Sequence, residues 1–153
     1  MPIDVVTEAT IDRPVEEVAS YAADPSNAPE WYEKIISAEC KTPPPVQRGT
    51  RVDFVARFMG KRLEYTYEVV DFVPGERITM ATAQGPFPME TTYTWESLGS
   101  GRTRMTLRNR GEPSGFAKVV APVMAAQVRR ATRKDLEKLR SILEGRRERP
   151  DGM

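Results

Sequence analysis

Histidine is absent from all 153 residues. That absence removes the Ser–His and Cys–His nucleophile systems, histidine-ligated zinc and iron, and histidine acid–base catalysis together. Cysteine is nearly absent too, with Cys40 standing alone. A single cysteine forms no intramolecular disulfide and no soft-metal cluster, which points to a reducing, cytoplasmic setting. No apolar run approaches the roughly 18 residues of a membrane-spanning helix, and no basic-then-apolar leader opens the chain. An excess of charge of either sign is also missing: 23 basic residues face 22 acidic ones, for a net charge of +1. No global field therefore selects nucleic acid or an anionic surface. The remaining chemistry belongs to Tyr, Asp, Glu, Lys, Arg or shape alone, so neither a metal nor a cofactor is expected and any activity should be metal-independent.

What the chain does have is alternation followed by one long helical period. Ile3, Val5, Thr7, Ala9 and Ile11 alternate with more polar neighbours, giving a first strand. Asp12, a candidate N-cap, and Pro14 open a short helix carrying Val15, Val18, Ala19 and Ala22. A second short helix is expected over Ser26 to Glu33, with Trp31 and Tyr32. Ile35 to Cys40 reads as a strand and Pro43-Pro44-Pro45 as a loop. Further strands alternate through Val52 to Phe58, Leu63 to Val69, Ile78 to Thr82, Phe87 to Trp95 and Thr103 to Asn109. Gly60, Pro74-Gly75, Gly85-Pro86 and Gly99-Ser100-Gly101 separate them, and a change of phase near Val70 and Phe72 predicts a bulge. Short connections make these strands antiparallel neighbours.

From Ser114 to Glu144 apolar residues recur every three or four positions: Phe116, Val119, Val120, Val123, Met124, Val128, Ala131, Leu136, Leu139, Ile142 and Leu143. Such a helix would extend roughly 45 Å and lie across a whole small sheet, with Pro122 bending it. Its other face reads as solvated, with Arg129, Arg130, Arg133, Lys134, Lys138 and Arg140 alternating with Asp135, Glu137 and Glu144. The fold class is α+β: a curved antiparallel sheet of about six to seven strands wrapped around a long C-terminal helix, with two short helices after the first strand. A single domain over residues 1–145 and a polar tail over 146–153 account for the whole chain.

Several segments resemble the START-like superfamily of polyketide cyclases, dehydrases and lipid-transport proteins, which has the helix-grip fold. They are Ala9-Thr10-Ile11-Asp12-Arg13-Pro14-Val15-Glu16-Glu17-Val18, Asp24 to Trp31, Gly49-Thr50, Glu68-Val69-Val70 followed by Pro74-Gly75-Glu76-Arg77, Gly101 to Thr106, and Asp135 to Glu144. The resemblance covers nearly the whole chain and implies a cavity between sheet and helix that holds a hydrophobic molecule. It leaves three functions open: binding of a small hydrophobic or polyketide-like ligand, aromatase/cyclase or dehydratase action in the same cavity, and a protein-interaction module. Fold alone does not choose among them.

If one alternating set of strand residues faces the helix, the inner wall holds Phe54, Phe58, Tyr65, Tyr67, Met80, Thr82, Met89, Thr91, Tyr93, Trp95 and Asn109. Met124 and Gln127 would join them from the helix, and Trp31 with Tyr32 either gates the mouth or staples the small helices to the sheet. Hydroxyls and amides placed among aromatics and Met suit a ligand cavity better than a purely structural core, which favours Leu, Ile and Val. A cavity of roughly 300 Å3 or more is expected. Cys40 reads as an inert thiol and Asp71 as an exposed turn acid. The expected partner is a small hydrophobic molecule, with no nucleic acid and no membrane insertion, bound by a monomer or homodimer.

Overall fold

Period-two alternation becomes seven strands: β1 (Ile3–Ile11), β2 (Ile35–Cys40), β3 (Arg51–Phe58), β4 (Lys61–Val73), β5 (Arg77–Gln84), β6 (Met89–Ser97) and β7 (Thr103–Gly111). They form one sheet in the order β1-β7-β6-β5-β4-β3-β2, with every neighbouring pair antiparallel. The computed structural model describes residues 3–58, 60–84, 88–111 and 121–147. The β3–β4 hairpin closes tightly at Gly60 (φ 77°), and Gly75 (φ 79°) turns the chain between β4 and β5; both angles lie where an L side chain is strained. The expected bulge is present as a register shift between Val69 and Asp71, and a second shift falls between Thr66 and Tyr67. Such irregularities raise local twist and help a sheet to curl.

One face of the sheet is buried and the other is charged. Val5, Ile11, Val52, Phe54, Val69, Ile78, Met105 and Leu107 turn inward. Outward, acids and arginines pair across strands: Asp4 with Arg108, Arg51 with Glu68, Glu96 with Arg104, Glu90 with Arg110, and Asp71 with Arg77. Exposed pairs of this kind contribute little stability each, but they neutralise the outer surface.

The buried face is covered at one end by α1 (Val15–Ala23), a 3₁₀ turn (Pro25–Asn27) and α2 (Ala28–Trp31), and across its length by α3 (Ala121–Arg147). Here the sequence reading needs correcting. Asp12 is not the N-cap of α1: Pro14 occupies that position, and the Asp12 amide donates to Glu144 Oε2 at 2.9 Å. The proline fixes an extended entry in place of a side-chain cap. The second short helix is only the 3₁₀ turn plus one α-helical turn ending at Trp31, because Tyr32 swings into an extended conformation. α3 runs through Arg147, three residues beyond the expected end. Its expected beginning, with Phe116, Val119 and Val120, lies outside the described residues. Pro122 stands in the first described turn, so the bend expected there falls at the edge of the described residues.

Leu136, Leu139 and Leu143 of α3 are buried in the main core with Ile11, Val18, Trp31 and Leu107, whereas Met124 packs separately with Ile3 and Val5. Val123, assigned to the same apolar stripe by spacing, is 52% exposed. We expect Leu139→Ala to cost about 3 kcal/mol in urea unfolding, and Val123→Ala to change stability by less than about 0.5 kcal/mol. Equal effects would contradict this orientation of the helix.

Candidate functional site

The two core clusters are separated by space. On the inner face of α3 the leucines at 136, 139 and 143 give way to Ala131, Val128 and Thr132, and the smaller side chains leave a cavity of about 180 Å3 against the sheet. Nine residues expected to line it do so: Phe54, Tyr65, Tyr67, Met80, Met89, Thr91, Tyr93, Asn109 and Met124. The volume is smaller than the expected 300 Å3, because the aromatic rings pack on one another and fill part of the space. Phe54 stacks on Tyr65 with centroids 5.4 Å apart, and Tyr67 meets both rings edge-on at 5.7 and 5.0 Å.

Five expected residues are placed differently or lie beyond description, among them Trp95, which is buried in the main core behind Tyr93 and does not line the cavity. Trp31 is fully buried behind Tyr32, with ring centroids 4.2 Å apart, and does not reach the cavity wall. Of its two expected roles it takes the staple. Thr82 spends its hydroxyl on Met89, donating to the carbonyl at 2.9 Å and accepting from the amide at 2.8 Å, so it ties β5 to β6. Gln127 is exposed on the solvent side of α3 beside Val123 and Arg130. The side chain of Phe58 lies outside the described residues, as does Phe87. Cys40 is exposed on the edge strand β2, and partial desolvation raises its thiol above the ordinary value. Asp71 is held below the usual carboxylate range by its hydrogen bond from Arg77, which leaves it a poor base.

The sequence reading missed Asp135. Taken for a member of the solvated face, it is only 2% exposed and lines the cavity. The signal was available: Thr132, Asp135, Leu139 and Leu143 succeed one another at three- and four-residue steps, which sets Asp135 on the buried stripe. Its Oδ1 accepts from the Glu33 amide at 2.9 Å, pinning the segment after α2 to α3. Burial raises this carboxyl to about 6, against the lowering effect of the Glu33 amide.

The hydroxyl network around the cavity has a defined direction. The Thr91 hydroxyl donates to Asn109 Oδ1 at 2.9 Å, so its oxygen must accept from the Tyr67 hydroxyl at 3.0 Å. Asn109 Nδ2 then has two donors with no partner among the described residues. Nearby, the Tyr32 and Tyr93 hydroxyls share a 2.5 Å hydrogen bond. Burial pushes Tyr67 up to about 12 and holds Tyr32, Tyr65 and Tyr93 well above ordinary phenol values. All four are neutral at physiological pH. The wall thus presents an amide donor on the sheet side and a carboxyl acceptor on the helix side.

A curled antiparallel sheet gripping one long helix around a mostly apolar cavity defines a helix-grip protein of the START-like superfamily. The chain belongs to the polyketide cyclase / dehydrase and lipid transport family, whose model matches residues 2–144. Its fold is similar to that of the Zhui aromatase/cyclase from Streptomyces sp. R1128, at 19% identity and a TM-score of 0.80 over 99% of both chains. It is similar as well to the protein TTHA0849 from Thermus thermophilus, at 22% identity and a TM-score of 0.79 over 90% of this chain and 94% of that one. A START superfamily protein from Mycobacterium smegmatis matches at 19% identity and a TM-score of 0.71 over 94% and 96% of the two chains. No curated protein is similar enough in sequence to be matched.

Asp135 generates a pH prediction. Its carboxyl rises from 3.8 to about 6 on folding, so between those values the folded state holds the proton more tightly and stability falls as pH rises. Above about pH 7 the full cost of the buried charge is present. Asp135→Asn keeps an oxygen for the Glu33 amide and removes that charge. We expect the variant to be more stable than the parent by on the order of 2 kcal/mol at pH 8, with the gap closing toward pH 4. Denaturant melts of both proteins across that range measure it, and a gap independent of pH would contradict the burial assigned to Asp135.

Proposed function

We propose that the protein binds a small, mostly apolar molecule of about one aromatic ring that carries both a carbonyl and a hydroxyl group. The observation that carries this reading is the pairing of an apolar cavity with an unpartnered amide donor, Asn109 Nδ2, on one wall and the Asp135 carboxyl on the other. Size limits the ligand: an engineered cavity of roughly 150 Å3 binds benzene, and about 180 Å3 is available here. A polycyclic, polyketide-like ligand would require the cavity to widen. The family supplies the class, hydrophobic or polyketide-like, and the lining supplies polarity and scale. A cytoplasmic monomer or homodimer is the setting that accompanies this reading.

Binding of a 4-hydroxyaryl ketone, compared with a hydrocarbon of equal size by calorimetry, tests it. Each hydrogen bond is worth about 0.5 to 1.5 kcal/mol, so the ketone should bind roughly tenfold tighter. Asn109→Leu should remove about half of that advantage in free energy, roughly threefold in affinity, while leaving the hydrocarbon unaffected. Equal affinity for the two compounds would contradict the donor and acceptor assignment.

One observation favours a second reading, aromatase/cyclase or dehydratase action in the same cavity. Asp135, raised to about 6, stands where a proton acceptor for carbon–carbon closure or loss of water would operate near neutral pH. Buried tyrosine hydroxyls would polarise a substrate carbonyl without metal. The two readings separate on variants. In a carrier, Tyr67→Phe and Tyr93→Phe each weaken affinity by about 0.5 to 1.5 kcal/mol, with no turnover to lose. In an enzyme, Asp135→Asn lowers the rate by roughly a hundredfold or more while binding persists. We expect the carrier pattern, and product formation that depends on Asp135 would replace it with the second reading.

A further inference from the structure

The turn of Asp135 into the core has a consequence on the other side of α3. In sequence the basic residues of this helix alternate with acids, but on the surface they do not. Arg129, Arg130, Arg133, Lys134 and Lys138 are all exposed, and none has an ion-pair partner among the described residues. The two remaining acids of the segment, Glu137 and Glu144, both sit against Arg140, at 3.6 and 3.3 Å. Across the sheet pairing prevails: its outward arginines at 51, 77, 104, 108 and 110 each have a carboxylate partner, and only Arg57 and Lys61, at one end of β3 and β4, have none among the described residues. A net charge of +1 therefore conceals a segregated one: a neutralised sheet and a cationic helix face.

We infer that this face of α3 docks on the headgroups of an anionic lipid bilayer. The five cations span roughly 14 Å along the axis and, at 100° per residue, spread over the whole solvent-facing half of the helix. A single acidic helix would meet a narrow line of charge, whereas a plane of anionic headgroups collects the broad distribution through long, flexible side chains. At the N-terminal end of the same face Val123 is 52% exposed beside Pro122 and Ala126, and an apolar spot flanked by Arg and Lys is the pattern of an interfacial helix. Aromatic residues are absent from the exposed positions of α3, so attachment is electrostatic and peripheral and does not insert. This inference goes beyond the cavity reading and stands or falls separately from it.

The test is cosedimentation of the full chain with phosphatidylcholine vesicles, either pure or containing about 30% phosphatidylserine. Each cation brought to an anionic surface is worth roughly fivefold in binding constant. The protein should favour the anionic vesicles, lose that preference in about 0.5 M NaCl, and lose roughly a hundredfold in the Arg130→Gln, Arg133→Gln, Lys134→Gln triple variant. All three positions are exposed, so the variant should keep the parent's melting curve and its affinity for the hydroxyaryl ketone. Should the variant fail to fold, the single change Lys138→Gln should still cost roughly fivefold. Equal sedimentation with the two kinds of vesicle would overturn the inference. Salt-sensitive retention on poly-L-glutamate without a vesicle preference would also overturn it and assign the face to an acidic protein.

Discussion

A single helix has to cover the apolar face of a seven-stranded sheet, and the side chains along its inner stripe decide how well it does so. Where α3 presents Leu136, Leu139 and Leu143, the interior closes into a core with Ile11, Val18 and Trp31. Where it presents Ala131 and Thr132 the side chains are short, and although Val128 still packs toward Ile3 and Val5 of β1, the space left beside it is the cavity. Interiors elsewhere pack to crystal-like density, so a gap maintained by small residues on one side and ordered aromatics on the other is a property of the sequence. Short side chains on one turn of helix open it, and the packed rings of Phe54, Tyr65 and Tyr67 on the sheet limit its volume.

The polar groups around that gap divide into two kinds by the same physical cause. Desolvation disfavours charge, which drives tyrosines away from ionisation and a carboxyl toward neutrality. Tyr32, Tyr65, Tyr67 and Tyr93 stay neutral over the whole physiological range, while burial raises the Asp135 carboxyl to about 6. In a chain without histidine, Asp135 is the carboxyl that burial brings nearest to the range of an imidazole.

Much of the architecture was legible because strands and turns report themselves locally. The alternation of Ile3 to Ile11 or Thr103 to Asn109 has one structural solution, and Gly60 and Gly75 occur where only positive φ closes the turn. The bulge near Val70 showed as a break of phase for the same reason. Less legible was anything that depends on rotation of a helix about its axis. Val123 and Gln127 both turn to solvent, and Asp135 turns inward. Charge alternation along the chain disguised Asp135, because reading in sequence order ignores the 100° step that places it beside Leu139. The cavity's volume was also beyond reach, since it depends on how the rings of Phe54, Tyr65 and Tyr67 lean on one another.

The rotation of α3 ties its two faces together. Burying Asp135 places a carboxyl in the cavity and withdraws a negative charge from the surface, so the polarity of the interior and the bareness of the cations outside have one origin. That burial is costly, and it is held in place by the Glu33 amide, which also fixes the segment leading from α2 into β2. Tyr32, one residue earlier, is thereby placed within reach of Tyr93. A polar residue on an apolar stripe thus sets the register between helix, small-helix unit and sheet, which a leucine at that position would pack against without specifying.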